Sequence, residues 1–285
     1  MIHALPLERG NLHGHFSRDL PPAVTIDPGD TVQVDVPNAG WRLASGERFA
    51  PTADGLDDGH ALAGPVEVRG ARAGQVLTVR IESVEPGPWG ETFTRPPHRI
   101  DWKLADGIGR ASTGHTIGLA PFLGVLGMPP PAHGIHSTIP PRRFGGNIDC
   151  KELVEGTTLY LPIPVDGALF SAGDGHAAQG DGEVSGTAIE CPCAAALTLD
   201  LRDDLELDWP CARIDGAWLT FGFDEHLGRA ARIASDGMIA LMAREHGLSP
   251  DDALALASVC VDLRVTQVVN QVLGVHAVLR DDAWT

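Results

Sequence analysis

The chain has 285 residues, a formal net charge of −17, and 43% hydrophobic and 21% charged residues, a balance typical of a folded globular protein. This length allows one large domain or two closely packed ones. The excess of acidic side chains argues against nucleic acid as a partner, because phosphate backbones are bound by clustered Lys and Arg. It favours neutral or cationic small molecules over anionic ones.

No apolar stretch approaches the roughly 18 residues that a membrane-spanning helix needs, and the first ten residues lack the pattern of a signal peptide. We therefore expect no membrane partner and a cytoplasmic protein. Five cysteines, an odd number without a Cys-x-x-Cys pair, predict reduced thiols in the core. Cys191 and Cys193 lie two residues apart, so a soft metal site between them stays open as an alternative.

The first two thirds of the chain show the period of two that is typical of β-strands. Val32, Val34 and Val36 alternate with polar residues, and residues 77–81 repeat the pattern. The 34 glycines and 22 prolines are spread through the chain, which predicts many short strands joined by tight turns. We expect a mainly β fold that resembles a jelly roll or β-sandwich, and a recurring unit of glycine turn and strand leaves a duplication open.

Residues 86–143 differ from the strands on either side. They contain the proline pairs at 96–97 and 140–141 and the triplet at 129–131. Prolines and scattered glycines disfavour regular elements, so we expect long ordered loops that line a site.

Helical periodicity begins only near the end of the chain. Apolar residues recur every three or four positions over 224–246, and a second helix is predicted to begin after Ser249. Residues 265–279 fit either a closing turn of helix or a strand. We divide the chain into a β-rich region over 1–200, which holds the predicted active-site loops, and an α+β region over 201–285 packed on it.

The segment 171–190 combines acidic and imidazole groups with many glycines, which disfavours a stable helix. Asp174, His176, Asp181, Glu183 and Glu190 offer the oxygen and nitrogen ligands that a zinc-like metal prefers. Two Asp-Gly pairs equally fit ordinary hairpin turns, so both interpretations stay open. The spacing does not fit an EF-hand, whose twelfth position requires Glu where Ser185 stands.

The chain lacks a Gly-x-Ser-x-Gly elbow, a Walker loop and a dinucleotide fingerprint, which lowers the weight of serine-nucleophile, phosphoryl-transfer and NAD chemistry. Carboxylate and imidazole groups remain. His60 follows Asp57-Asp58-Gly59, and Asp149 lies in the run Phe-Gly-Gly-Asn-Ile-Asp-Cys-Lys-Glu.

Three runs carry a resemblance to a known family: Gly-Gly-Asn-Ile-Asp-Cys-Lys-Glu-Leu at 145–153, Thr-Leu-Tyr-Leu-Pro-Ile at 158–163, and Gly-Ala-Leu-Phe-Ser-Ala-Gly-Asp-Gly-His-Ala-Ala-Gln-Gly-Asp-Gly-Glu-Val at 167–184. With Pro-Gly-Asp-Thr-Val at 28–32 and Gly-His-Ala-Leu-Ala-Gly-Pro-Val at 59–66, the chain resembles the acetamidase/formamidase family from about Gly14 to Gln271. Ala61 and Ala63 stand where the family often has Pro and Thr, a difference that would affect the pocket wall.

This resemblance implies a β-rich hydrolase that cleaves short carboxamides to the acid and ammonia, that forms homodimers or larger homo-oligomers, and that binds a divalent metal, with Zn first. A second ion such as Ca stays open. We assign the metal ligands by residue type: His60, Asp149, Asp174 and His176. Glu183 is the predicted general acid/base. Asn147, or a backbone N–H of the Gly145–Gly146 turn, is predicted to hold the oxyanion, and Lys151 to supply a catalytic cation.

Two other classes of function remain as alternatives. Cys150, Lys151 and Glu152 are the residue types of a Cys-nucleophile amidase, although three adjacent residues of a strand cannot all point into one site. A non-catalytic jelly-roll module would use the metal loop only for structure or for a small ligand. If Glu183 proves to be a metal ligand, Glu190 and Asp181 are the next candidates for the base.

Overall fold

The computed structural model describes residues 1–50, 52–53, 55, 57–94 and 98–283. In these residues the chain forms many short strands and two α-helices near the C-terminus, as the sequence predicts. The strands are β1 (Ile2–Leu5), β2 (Leu12–His13), β3 (Val24–Ile26), β4 (Asp30–Val36), β5 (Leu62–Val68), β6 (Val76–Pro86), β7 (Trp89–Thr94), β8 (His98–Ala105), β9 (Ile108–Ala111), β10 (Thr116–Gly118), β11 (Phe122–Gly127), β12 (Gly145–Asn147), β13 (Thr158–Pro162), β14 (Phe170–His176), β15 (Cys193–Arg202), β16 (Cys211–Ile214), β17 (Ala217–Asp224), β18 (Val261–Gln267) and β19 (Leu273–Arg280).

The strands form three sheets. The largest has nine strands in the order β1-β4-β15-β6-β13-β16-β17-β19-β18. A second sheet has the order β12-β11-β14-β5-β2, with β3 paired to β5, and a third has the order β10-β9-β8-β7. The pairs β1/β4 and β3/β5 are parallel and the other pairs are antiparallel, which confirms the mainly β architecture.

One core lies between the nine-stranded sheet and the sheet built on β11 and β14. Alternating residues of β4, such as Val32 and Val34, point into it, because successive side chains of a strand face opposite sides. Val66, Leu126 and Phe170 of the second sheet belong to the same buried cluster. The two sheets therefore pack face to face as a sandwich.

Two helices cover one end of the nine-stranded sheet. Helix α1 spans Leu227–His246 and ends at Gly247, whose left-handed φ of 63° closes the helix without a Cβ penalty. Helix α2 spans Pro250–Cys260, and the Ser249 side chain caps it by accepting from Asp252 N. Buried residues of α1, Ala234 and Met238 among them, pack on β17 and β19.

The predicted helix at 224–246 begins three residues later than expected, because residues up to Asp224 belong to β17. The second helix begins after Ser249 as predicted. Of the two options for residues 265–279, the strand is observed: they form the end of β18 and most of β19.

The prediction of long loops over 86–143 was wrong for most of residues 89–127, which form β7 to β11. Aromatic and threonine residues that favour strands, as in Trp-Gly-Glu-Thr-Phe-Thr of β7, outweigh the nearby prolines. The prolines at 129–131 and 140–141 lie outside strands, as expected. The pair at 96–97 lies outside the described residues.

No helix of the described chain is long and apolar enough to cross a membrane. All five cysteines are free thiols, four of them buried. Strand β13 pairs with β16, so one sheet crosses the predicted boundary near residue 200. The division into two regions stays a prediction.

Candidate metal and catalytic site

A group of buried carboxyl groups surrounds one imidazole at the C-terminal end of β14. Asp174 and His176 lie two residues apart on this strand and therefore share a face. Asp149 follows β12, and Glu190 pairs through its backbone with both His176 and Glu91. With Glu183, which lies in the loop after β14, four separate segments of the chain thus bring their acidic or imidazole groups to one place.

The His176 ring is the centre of the group. Its Nε2 lies 3.2 Å from Glu190 Oε1 and 3.4 Å from Asp174 Oδ1, and its Nδ1 lies 3.8 Å from Asp149 Oδ1. The ligand atoms of Asp149, Asp174 and His176 all lie within 4.8 Å of one another, and so do those of His176, Glu183 and Glu190. Both sets are mixtures of imidazole nitrogen and carboxylate oxygen, which suit zinc.

The buried oxygens of these carboxyl groups fit a cation. Four oxygen atoms are buried and have no hydrogen-bond partner: Asp149 Oδ1, Asp174 Oδ1, Glu183 Oε2 and Glu190 Oε2. A buried ionised oxygen without a partner costs several kcal/mol, so buried carboxylates are normally paired or bound to metal. The donor set and its missing partners therefore fit a divalent ion among these residues.

Neighbouring amides fix the orientation of the central groups. His176 Nδ1 donates to Gln179 Oε1 at 3.0 Å, and Gln179 Nε2 donates to the Asp149 carbonyl oxygen at 2.8 Å. Asn270 Nδ2, from the β18–β19 loop, donates to Asp149 Oδ2 at 2.5 Å. A metal-binding histidine typically donates its second ring N–H in this way, which leaves Nε2 with its lone pair toward the metal.

Three acidic residues of the site have left-handed backbone conformations that non-glycine residues rarely adopt. The φ angles are 50° at Asp149, 61° at Asp174 and 44° at Glu183. Such backbone costs on the order of 1–3 kcal/mol per residue and is concentrated at functional sites. The backbone is therefore strained at the three residues whose carboxyl groups line the site.

Burial and mutual repulsion shift the ionisation of the group. Burial raises the pKa of Glu183 to about 10, and the charge of Asp149 adds to this effect. Burial likewise raises the pKa of Asp149 to about 6 and raises the pKa of Glu190. For His176, burial opposes ionisation, but the charges of Glu190 and Asp174 outweigh it and hold the pKa well above its usual value. With all four carboxyl groups ionised, one imidazole would not balance their negative charge, so without a cation the site favours protonated carboxyl groups.

The group opens onto a cavity of about 140 Å³. Its polar lining includes His60, Asn147, Asp149, Asp174, Glu183 and Glu190. A larger cavity of about 430 Å³ shares His60, Phe93, Gly186 and Asn270 with it and so lies directly beside it. The smaller cavity is less than half the roughly 300 Å³ at which pockets for drug-sized ligands begin.

Six of the seven predicted site residues line this cavity, and one does not. His60 stands at the side shared with the larger cavity, where its Nδ1 lies 2.8 Å from Thr138 Oγ1. Lys151 does not line the cavity, because its Nζ pairs with Asp181 Oδ1 at 2.5 Å. Gly145 and Gly146 do not line it either, and the Gly145 N–H donates to the Arg142 carbonyl oxygen at 3.1 Å.

Comparison with known proteins identifies the family. The sequence profile of the acetamidase/formamidase family matches residues 4–117 and 128–214. The chain belongs to the acetamidase/formamidase family.

The solved structure of an acetamidase from Yersinia enterocolitica has 27% sequence identity and a TM-score of 0.88, over 100% of this chain and 94% of that one. An acetamidase of Mycolicibacterium smegmatis is 23% identical over 250 residues, 61% of this chain and 61% of the relative. A formamidase of Methylophilus methylotrophus is 23% identical over 244 residues, 62% of this chain and 60% of the relative. The chain therefore spans about 60% of the length of these two curated relatives.

Sequence reasoning underestimated several residues of the site in this family member. Glu190 was named among the groups of metal-ligand type and as a substitute base but was left out of the assigned ligand set, yet it lies as close to His176 Nε2 as Asp174 does. Gln179 lies within the segment 171–190, which its composition marks as a candidate site, so the sequence could have indicated its role. No feature of the sequence indicated that Asn270 and Gly124 belong to the site. An asparagine in an apolar run and a glycine inside a strand occur at many positions without a function.

Gly124 forms the floor beneath the carboxyl groups. A Cβ added to this glycine would lie 2.6 Å from Asp174 Oδ2 and would also meet Asp149 Oδ1 and, at 3.1 Å, the His176 ring. Its backbone does not require a glycine-specific φ, so the absence of a side chain is what matters here. The close approach of β11 therefore gives the acidic side chains their room.

Proposed function

We propose that this protein is a metal-dependent amidohydrolase that cleaves short aliphatic carboxamides, of the formamide and acetamide type, to carboxylate and ammonia. The observation that carries the proposal is the convergence of four carboxyl groups around His176 at the wall of a small cavity, each of which has one buried oxygen without a hydrogen-bond partner. The acetamidases and the formamidase to which this chain is similar support an amide as the substrate.

The size and charge of the cavity favour a small neutral substrate. Its volume of about 140 Å³ leaves room for few non-hydrogen atoms beside a metal ion. The acidic lining and the net charge of −17 would repel an anionic substrate. A primary amide is neutral and offers both a carbonyl oxygen and N–H groups for recognition.

The same donor groups support a metal. Asp149, Asp174, His176 and Glu190 would hold the ion, with Zn preferred for a mixture of nitrogen and carboxylate ligands. Bound there, it would polarise the amide carbonyl and lower the pKa of a water molecule to about 7. His60 stays a predicted ligand at the edge shared by the two cavities, and a second ion such as Ca stays a prediction.

Hydrolysis forms a C–O bond from water to the amide carbon and breaks the C–N bond, so one proton must leave the water and one must reach the departing nitrogen. We assign this transfer to Glu183, which lines the cavity with a partnerless Oε2. General acid/base catalysis of this kind contributes roughly 10²- to 10⁴-fold. Asn147 lines the same cavity, and its partnerless Oδ1 suits an N–H of the substrate.

The test is ammonia release from a panel of small amides, with metal content measured on the same preparation. We expect turnover that a chelator removes and added Zn restores. Asp174→Asn should abolish turnover, whereas Asp181→Asn is a matched control, because Asp181 also precedes a glycine but does not line the cavity. Full turnover by metal-free protein, or no turnover of any amide, would contradict the proposal. Chelator-sensitive folding without turnover would favour the binding module.

The thiol alternative has less support. Cys150 is buried and does not line the cavity, and its Sγ donates to Glu152 Oε2 at 3.2 Å. Without a bound cation, burial raises the pKa of this thiol well above its usual value, which disfavours a free thiolate nucleophile. Amide turnover near background in Cys150→Ser, with the ion still bound by the carboxyl groups and with turnover retained in His276→Gln, would instead favour a thiol nucleophile.

The oligomeric state and the cellular location stay predictions. We expect the whole protein to form a homodimer or a higher homo-oligomer and to be cytoplasmic. Size measurement in solution checks the first, and fractionation of the source cells checks the second.

A further inference from the structure

A second group of side chains of metal-ligand type lies outside the candidate cavity. Cys150 Sγ, Glu152 Oε2 and His276 Nε2 lie within 4.8 Å of one another. The Sγ to Oε2 distance is 3.2 Å, and the Nε2 to Oε2 distance is 3.7 Å. None of the three residues lines the cavity described above, so this group is separate from the proposed catalytic centre.

The His276 ring is oriented toward this group and has a partnerless nitrogen. The side chain is fully buried on β19. Its Nδ1 is paired with Thr266 Oγ1 at 2.8 Å, while its Nε2 has no hydrogen-bond partner. A buried polar atom without a partner costs about 1–3 kcal/mol. When Nδ1–H donates to Thr266, the lone pair of Nε2 faces Glu152 and Cys150, as it does in metal-binding histidines.

The two oxygens of Glu152 have separate neighbours. Oε1 accepts from Arg264 at 3.1 Å and lies 3.6 Å from Lys151 Nζ. Oε2 faces the thiol and the imidazole. The two basic side chains therefore neutralise Oε1, and Lys151 also pairs with Asp181 at 2.5 Å. Neither basic side chain occupies Oε2, so this oxygen is available to a metal ion on the side of the thiol and the imidazole.

We propose that Cys150, Glu152 and His276 form a second metal site, which binds Zn through sulfur, oxygen and nitrogen. These three ligand types suit zinc, whereas Mg and Ca prefer oxygen alone. Binding replaces the S–H bond of Cys150 with an S–Zn bond, and the thiol proton is released to solvent. Three protein ligands leave a fourth position for water in a tetrahedral site.

This site would fasten the loop that carries Asp149. Cys150 directly follows Asp149 in the chain and Glu152 lies two residues further on, whereas His276 lies on β19 of the nine-stranded sheet. A bound ion would therefore connect this loop to the sheet at a point separate from the hydrogen bond between Asn270 and Asp149. The role of the site is to position the loop, and it goes beyond the proposed amide hydrolysis.

Cobalt distinguishes the two sites, because only the second has a sulfur ligand. The full chain is stripped with a chelator, loaded with Co²⁺ and examined for the near-ultraviolet charge-transfer absorption of a cobalt–thiolate bond. We expect that absorption in the wild type. Cys150→Ser should abolish it and lower bound cobalt by about one ion per chain. Asp174→Asn should lower bound cobalt by about one ion and leave the thiolate absorption in place.

Matched variants identify the thiolate that binds. Cys211→Ser changes another buried thiol and should leave the absorption unchanged, as should Cys191→Ser, which tests the neighbouring thiol pair. His276→Gln should weaken the absorption while preserving Cys150, which keeps the proposal testable if Cys150→Ser does not fold. Absence of the absorption in folded wild type at saturating Co²⁺ overturns the proposal. An absorption that survives Cys150→Ser or disappears in Cys191→Ser also overturns it.

Discussion

Gly124→Ala tests whether the acidic group needs the open floor beneath it. The added Cβ would lie 2.6 Å from Asp174 Oδ2, whereas ordinary contacts of this kind begin at 3.4 Å. The carboxyl group or the strand must therefore move by about 0.8 Å, while metal–ligand distances tolerate only about 0.2 Å. We expect metal affinity to fall at least about 10- to 100-fold and unfolding free energy to fall by about 1–3 kcal/mol.

The assay combines metal content after dialysis, thermal melting and ammonia release from formamide and acetamide. Gly118→Ala is the matched control, because a Cβ at Gly118 meets nothing within 4 Å and Gly118 also lies in a strand. Metal content and turnover should remain near wild type in this control. If Gly124→Ala binds metal and hydrolyses amides as the wild type does, the carboxyl groups do not depend on this space and the reasoning fails.

Three other changes test the site through different readouts. Glu183→Gln should lower kcat at least about 100-fold and leave the metal content unchanged. Glu85→Gln, at an exposed position of a strand, should change neither quantity. Loss of metal in Glu183→Gln would show that this carboxylate is a ligand. His176→Ala should lose metal and turnover together. His115→Ala, which changes an exposed histidine, should lose neither. Retention of both metal and turnover in His176→Ala would contradict the role of His176 as a ligand. The metal-free protein should become less stable as pH rises from about 5 to about 8, because the folded-state pKa values of Asp149, about 6, and Glu183, about 10, lie above their unfolded values near 4. The contribution of these two protonated groups to the free energy of unfolding is fully present below about pH 4. It is lost as pH rises through their folded-state pKa values, by up to about 1.4 kcal/mol per pH unit for one group. A melting temperature of chelator-treated protein that rises over this range would show that the carboxyl groups are not held as described.

The sequence determined those features that depend on local patterns. The alternation over Val32 to Val36 predicts β4, because a strand with one buried face repeats every two residues. The three- and four-residue spacing after Asp224 predicts α1, and Ser249 marks the start of α2 because its side chain satisfies a free backbone N–H. The strands within residues 89–127 were missed because prolines that lie between strands cannot be told from prolines that prevent strands.

The acidic and imidazole residues of 171–190 were also identified from sequence, because ligand types among glycines are uncommon outside turns and sites. Their partners were not equally visible. Glu190 could have been a surface carboxylate, and nothing in the sequence indicated that Asp149 lines the cavity while the adjacent Cys150 does not.

Only the tertiary structure decided which residues converge. Asn270 binds Asp149 from 121 positions away in the chain, and Gly124 gains its importance solely from the carboxyl groups that pack above it. Pairing between distant strands sets these contacts, and a local period carries no information about which strand will be the neighbour. Residue type and spacing thus fixed the chemistry available to this protein, whereas strand pairing brought four segments together and left their buried oxygens without partners.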